Sequence, residues 1–327
     1  MQALLIEQSD GAYQTVLSEI SPQQLPPGNV TVDVNWSSIN YKDALAITGK
    51  GKIIRQFPMV PGIDFAGRVH HSEDPRFHVG QQVLLTGFGV GETHWGGLAE
   101  QARVNGDWLV ALPEGLSERQ AMILGTAGFT AMLCVMALED GGVTPDKGEI
   151  VVTGASGGVG STAVALLSAL GYRVAAVSGR AGNADYLRQL GAAQVLPRSE
   201  FTAEGRPLEK QRWAGAIDTV GGNVLANVLA QVEYSGAVAA CGLAGGFTLP
   251  TSVMPFILRN VRLQGVDSVQ TPAARRIEAW KRLVKTIPAS FYQQATTEIS
   301  LSEAPEAARR LLNNEVTGRT LVKVSQG

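Results

Sequence analysis

The chain has 327 residues, 45% hydrophobic and 17% charged, a composition that supports a sizeable packed core and excludes a disordered chain. Its formal net charge of −2 leaves no electrostatic case for a nucleic-acid partner. Only two cysteines occur, Cys134 and Cys241, which excludes a disulfide scaffold and a Cys-rich zinc site and fits a reducing, cytoplasmic setting.

The length suggests two domains. The N-terminal stretch, Met-Gln-Ala-Leu-Leu-Ile-Glu, has no basic region followed by an apolar run, so no signal peptide is expected. The first 120 or so residues read as β-rich: Val30 to Val34 alternates at period two, and Gly67 to His70 and Gln82 to Leu85 are further strands, separated by turn-rich pieces such as Ser72-Glu73-Asp74-Pro75. From Gln120 to Leu138 no residue is charged, a run long enough to cross a bilayer. Gly125, Thr126, Gly128 and Thr130 interrupt it, so a buried core helix is expected and no membrane partner.

Strand and helix patterns then alternate. Ile150 to Val152, Tyr172 to Val177, Ala214 to Asp218, Ala237 to Cys241 and Val261 to Val266 read as strands, and Ser161 to Leu170 and Ala184 to Leu190 as helices. Such alternation implies βαβ units and a parallel sheet. Near the end, Ser302 is the expected N-cap of a helix, and Gly318 to Val324 is a last strand.

The turn Val152-Thr153-Gly154-Ala155-Ser156-Gly157-Gly158-Val159-Gly160 lies between an expected strand and an expected helix. Glycines let a backbone approach a pyrophosphate, and a helix N-terminus supplies N–H donors and a positive dipole end. Alanine at 155 replaces the first glycine of Gly-x-Gly-x-x-Gly, while strand before and helix after restore the reading. The letters also fit the Thr-Gly-x-x-x-Gly-x-Gly of short-chain dehydrogenases, but no tyrosine here has lysine four residues later, so that reading lacks its catalytic pair. NAD sites place a carboxylate at the end of the second strand. Here that strand ends Val177-Ser178-Gly179-Arg180, and Arg198 follows the third; hydroxyl and guanidinium groups suit a 2′-phosphate, so NADP(H) is the expected cofactor.

The order of these motifs resembles the medium-chain dehydrogenase/reductase superfamily over essentially the whole chain. Asn40-Tyr41-Lys42-Asp43, Pro61 to Gly67, Gly125 to Ala131 and the Gly318-Arg319 ending carry the likeness. The resemblance implies an α/β fold: a GroES-like β-barrel catalytic domain over residues 1–120 and 290–327, and a Rossmann domain with a doubly wound parallel sheet over 121–289. Zinc-dependent members carry Gly-His-Glu where this chain has Gly62-Ile63-Asp64. Isoleucine cannot ligate a metal, the four cysteines of a structural zinc lobe are absent, and His70, His71, His78 and His94 form no recognisable ligand set, so no metal is expected. The chemistry left is hydride addition to a double bond that is already polarised. Ser37 to Leu45, His94 to Glu100 and Cys241 to Gly246 narrow the resemblance to the YhdH-type quinone oxidoreductase group, which includes acrylyl-CoA reductases.

Membership implies an oxidoreductase acting on CH–CH donors that reduces acryloyl-CoA to propanoyl-CoA with NADPH. An acyl-CoA or a quinone is the implied substrate. The resemblance places Tyr41 beside the nicotinamide, Ser156, Gly157, Gly158 and Val159 on the pyrophosphate, and Ser178, Gly179, Arg180 and Arg198 on the 2′-phosphate side. It places Leu243, Ile257, Ser268 and Asn314 further along the cofactor. Tyr41, with Asn40 and Asp43 holding it, is the expected catalytic group, orienting the nicotinamide or relaying a proton. Lys50, Lys52, Arg55 or Arg319 could meet coenzyme A phosphates on charge alone. The alternatives are an NADPH:quinone reductase and a non-catalytic, crystallin-like NADPH-binding protein. Analogy with relatives implies a homodimer through an edge strand at Val261 to Val266.

Overall fold

Apolar runs that alternate with helices must bury both faces of a sheet, and the region after residue 126 does so. The computed structural model describes residues 1–9, 12–294 and 296–325. Ala127–Asp267 with Ala279–Phe291 form one unit, built on six parallel strands. Their spatial order is Gln194–Pro197, Arg173–Ser178, Glu149–Val152, Trp213–Asp218, Val232–Ala240 and Arg262–Gly265. In chain order this is third, second, first, fourth, fifth, sixth, the doubly wound arrangement of dinucleotide-binding sheets. The order reverses between Glu149–Val152 and Trp213–Asp218, and the C-terminal ends of strands at that point form the crevice where such sheets take ligands. Val151, Ala175, Val177, Ala216 and Val238 from the strands pack with Val224, Val228 and Leu229 from the helix Gly222–Gln231. Each large apolar side chain so buried contributes about 1.5–3 kcal/mol.

The fifth strand starts five residues before the apolar pattern announces it. Tyr234 and Ser235 are exposed, Ser235 has φ 61°, and the pairing with Trp213–Asp218 slips between Trp213 and Gly215, which together hide the period. Arg262–Gly265 lies at the sheet's edge.

Met1–Thr126, Ser268–Glu278 and Tyr292–Gly327 form the other unit. Its main sheet runs Thr296–Ser300, Arg319–Lys323, Val30–Ile39, Asp64–Ser72, Gln82–Thr86, Val110–Ala111, with Gln101–Val104 also on Val30–Ile39. All pairs are antiparallel except the first. Val32, Val34, Phe65, Val69, Val83, Leu85 and Val322 fill its core. The returning strand matters most for the site: Thr320 pairs with Ile39 and Leu321 with Ser38, so the next residue back, Arg319, arrives beside Asn40.

The helix Glu118–Asp140 carries the uncharged run, and its most apolar window is 89% buried, as a core helix requires. Gly125 breaks its helical geometry with φ 52° and ψ −154°. The resemblance implies a Rossmann domain that includes residues 268–278, whereas packing groups them with the first unit, where Arg276 is buried and donates to the Thr86 carbonyl at 2.7 Å.

A correction applies near the C-terminus. Ser300, not Ser302, is the N-cap, opening the turn Leu301–Glu303 that runs into the helix Ala304–Leu312. Its N–H donates to Glu303 at 2.8 Å, completing a capping box that the Ser302 reading misses by two residues. Ser300→Ala is therefore expected to lower stability by about 0.5–2 kcal/mol. Ser302→Ala should cost less than Ser300→Ala in parallel urea titrations, and the reverse ranking would restore the sequence assignment.

Candidate active site

The glycine turn is fixed from below by polar bonds between strand ends. Thr153 donates its hydroxyl to Asp218 at 2.7 Å, and Thr219 donates its own to the Thr153 carbonyl at 3.0 Å. Gly154 turns the chain at φ 58°, and a Cβ there would lie 2.1 Å from the Thr219 hydroxyl. A Cβ on Gly160 would lie 2.3 Å from the Gly154 carbonyl. Ala155, the departure from the expected motif, is fully buried and donates its N–H to Val177 at 3.0 Å, so the turn needs no glycine there. Gly157 caps the helix Gly158–Ala169, and the first helical bond runs from the Ser161 N–H to the Gly157 carbonyl. The N–H groups of Gly158, Val159 and Gly160 thus have no acceptor within the helix, and they sit at its positive end.

Ser156 and Ser178 join the first two strand ends, their hydroxyls 2.7 Å apart, and the Arg180 N–H donates to Ser178 at 3.2 Å. Arg198 lays its guanidinium over Gly179, where a Cβ would stand 3.1 Å from Cζ. Ser156, Gly157, Gly158, Val159, Ser178, Gly179, Arg180 and Arg198 are thereby gathered at one end of the sheet. No carboxylate stands at the end of the second strand, between Ser178 and Arg180. Asp218 is the buried carboxyl beneath the turn; burial pushes its pKa up, while bonds from Thr153 and from the Gly221 and Val220 N–H groups draw it back. Leu243 follows the fifth strand and Ile257 lies on the helix Met254–Arg259, and both side chains are exposed.

The other unit holds a buried ionic network. Arg319, 4% exposed, donates to the Ser38 hydroxyl at 2.8 Å, to Asn40 Oδ1 at 3.1 Å and to the Ile123 carbonyl at 2.8 Å. Asp64, fully buried, accepts from Ser38 at 2.7 Å, from Asn40 Nδ2 at 2.9 Å and from the Thr126 N–H at 2.8 Å. A Cβ on Gly125 would meet both Arg319 and Asp64 at 2.7 Å, which is why the helix breaks at a glycine here.

Asp43 accepts from the Gly62 N–H at 3.1 Å, the Ile63 N–H at 2.9 Å and the Asn40 N–H at 2.9 Å. Burial, and then the Asp64 charge, raise its pKa to about 7 against those stabilising bonds. Burial lowers the Arg319 pKa, and Asp64 and Asp43 oppose this. Tyr41 opens the helix Tyr41–Thr48 directly after Asn40, and its side chain is 46% exposed. The structure therefore joins Asn40 and Asp43 into one network and sets Tyr41 at its edge.

Ile63 has its side chain buried, its N–H given to Asp43 and its carbonyl accepting from the Gly87 N–H at 3.3 Å. Ser268 accepts through its carbonyl from Arg276 at 3.1 Å, and Asn314 adopts φ 58° after the helix Ala304–Leu312. Arg319 cannot reach a solvent-borne phosphate, since its guanidinium is spent inside, and that expectation is withdrawn. Lys50, Lys52 and Arg55 are exposed. Asp64 and Ser38 were not legible as site residues. The one signal available was Asp64 occupying the acidic position of the Gly-His-Glu motif.

Two family models match the chain: the Alcohol dehydrogenase GroES-like domain over residues 26–114 and the Zinc-binding dehydrogenase domain over 158–287. The chain is 73% identical, over 99% of its length and 100% of the other, to an Escherichia coli protein named as a probable acrylyl-CoA reductase, AcuI. It is 45% identical, over 99% and 98%, to Bacillus subtilis YhfP, whose name assigns it provisionally to the quinone oxidoreductases. The crystal structure of the yhdH oxidoreductase from Salmonella enterica in complex with NADP is 73% identical, covers 99% of this chain and 100% of its own, and superposes with a TM-score of 0.98.

The raised pKa of Asp43 gives a signed expectation. Its carboxyl ionises near 4 when unfolded and near 7 when folded, so its contribution to stability is complete at low pH and is lost as pH rises toward 7. The stability of the wild type relative to Asp43→Asn should fall between pH 4 and pH 7 in denaturant titrations. A difference that stays flat or rises would contradict it.

Proposed function

The chain belongs to the zinc-independent medium-chain dehydrogenase/reductase family, and from that premise we propose that it reduces the activated C=C bond of acryloyl-CoA to propanoyl-CoA with NADPH. The observation that carries the reading is the end of the second strand, where the Arg180 N–H bonds Ser178, the Arg198 guanidinium lies over Gly179, and the sequence from 178 to 180 holds no carboxylate. Hydroxyl and guanidinium donors fit a 2′-phosphate, and the close approach at Gly154 and Gly160 excludes side chains at those two positions of the turn that would take a pyrophosphate. Whole-length relatives that carry the acrylyl-CoA reductase name support the substrate.

When bound, NADPH supplies a hydride for the β-carbon of the enoyl thioester. The thioester carbonyl already polarises that double bond, and Ile63 offers no ligand atom for a Lewis acid at the position where zinc-dependent members have histidine. Ser156, Gly157, Gly158 and Val159 hold the pyrophosphate, and Leu243, Ile257, Ser268 and Asn314 line the cofactor further along. The Tyr41 hydroxyl orients the nicotinamide or relays the proton that completes reduction at the α-carbon. Asn40 and Asp43 hold the start of its helix. We place the enzyme in the cytoplasm, as a homodimer joined at the edge strand Arg262–Gly265. The name carried by YhfP favours a quinone as the second substrate reading.

Steady-state assays decide between these. Acryloyl-CoA with NADPH is expected to give a higher kcat/KM than a benzoquinone, and NADPH a far higher kcat/KM than NADH. A quinone preference would select the second reading, and equal use of both nucleotides would reject the cofactor assignment. NADPH binding without turnover of either substrate would indicate a non-catalytic protein. Tyr41→Phe should lower kcat by on the order of 10²-fold where its hydroxyl passes the proton, and unchanged turnover would reject that role.

A further inference from the structure

Arg276 is a second buried arginine of the first unit. It is 2% exposed, and its guanidinium joins segments far apart in the chain. Nη1 donates to the Thr86 carbonyl at 2.7 Å and to the Thr86 hydroxyl at 2.8 Å. Nη2 donates to the Ser268 carbonyl at 3.1 Å and to the Val269 carbonyl at 3.3 Å. The Phe88 ring covers the guanidinium, with Cζ 4.5 Å from its centroid. One planar cation therefore spans two chain segments and one aromatic face, a combination that lysine cannot reproduce.

The segments it joins are unusual on both sides. Phe88 has φ 54°, a left-handed conformation that costs on any residue with a side chain. Its N–H donates to the Val269 carbonyl at 3.0 Å, and a Cβ on neighbouring Gly87 would stand 2.8 Å from that same carbonyl. The two backbones thus lie as close as backbones can. Trp108 stacks on Phe88 with centroids 6.0 Å apart, and His94 meets Trp108 edge-on at 5.0 Å. Burial holds the His94 pKa down, opposed by its bond to the Arg103 carbonyl. A strained residue kept in place by so many contacts is over-determined, and such strain gathers where a ligand is held.

We propose that Arg276 is a positioning residue for the cofactor: it locks the Ser268–Val269 backbone against Thr86–Phe88, so that Ser268 presents a fixed surface to NADPH. This rests on the reading of Ser268 as a cofactor-lining residue. Arg276 itself touches neither cofactor nor substrate and acts through Ser268. Fixing that segment in the free protein removes an ordering cost that binding would otherwise carry.

The test reads NADPH binding by fluorescence titration without substrate, together with thermal melting and amide exchange over residues 266–272, in the full chain. Arg276→Lys is expected to weaken NADPH binding fivefold or more and to speed exchange at residues 268–270. KM for NADPH should rise more than kcat falls. Thr86→Val, which removes one acceptor of Nη1 and keeps the carbonyl, should weaken binding in the same direction by twofold or more. A merely structural arginine would lower the melting temperature and leave the Kd of the folded fraction unchanged. A Kd within twofold of wild type in folded Arg276→Lys, or in Thr86→Val should the lysine variant not fold, overturns the proposal. Normal NADPH binding by the wild type with no turnover of acryloyl-CoA would instead count against the substrate reading and leave this binding test intact.

Discussion

A buried guanidinium, Arg319, knits the antiparallel-sheet unit together. It enters on the returning strand Arg319–Lys323 and reaches the strand Val30–Ile39 through Ser38, the helix start through Asn40, and the broken helix through the Ile123 carbonyl. Asp64 closes the circuit from a fourth element. Removing one member of such a network leaves an uncompensated charge in the interior, at a cost of about 3–5 kcal/mol. Several features that look independent follow from it. The glycine at 125, the break in an otherwise apolar helix and the placement of Asn40 all exist because the guanidinium and the Asp64 carboxylate fill that space. Tyr41 takes its position from Asn40, one residue before it, so the group proposed to act in catalysis is set by a charge it does not touch.

The parallel-sheet unit uses the same device with neutral partners. Thr153 and Thr219 tie the first strand end to the fourth, and buried Asp218 receives both the Thr153 hydroxyl and the Gly221 N–H. Gly157 is the exposed residue of the turn above, and it carries no side chain. That division suits a site for an anionic ligand: polar side chains are consumed in holding the turn, and the N–H groups of the helix start are left to meet the ligand. Arg276 repeats the pattern a third time, with carbonyls and an aromatic face among its partners.

Much of this was legible in the sequence, for reasons that differ by element. The parallel sheet follows from apolar runs alternating with helices, and the anion turn follows from glycine spacing after a strand, while the spatial order of the six strands comes from the structure. The absence of a carboxylate after Val177 was readable as letters alone. The networks were not. Ser38, Asp64 and Arg319 are separated by up to 281 residues in the chain, and nothing local marks three polar side chains as partners. Arg319 therefore looked like a surface cation and proved to be an interior one. Ser302 looked like a helix cap because it precedes the apolar positions, but the carboxylate of Glu303 reaches back to Ser300. Residues 268–278 follow a Rossmann strand in sequence, and long-range bonds such as those of Arg276 and of the Phe88 N–H to Val269 show which unit they join. Period and spacing report local structure; a buried ion reports its partners only in three dimensions.

The central claim is that this fold delivers a hydride to a polarised alkene without a metal. The measurement that addresses it most directly is a turnover of acryloyl-CoA by chelator-treated enzyme with NADPH deuterated at C4, the 4R and 4S forms run in parallel, and the product read by mass spectrometry and NMR. The account predicts full turnover after chelation and a single deuterium on the β-carbon of propanoyl-CoA from one of the two forms. Turnover that needs added metal, or a product without label at the β-carbon from either form, would contradict it.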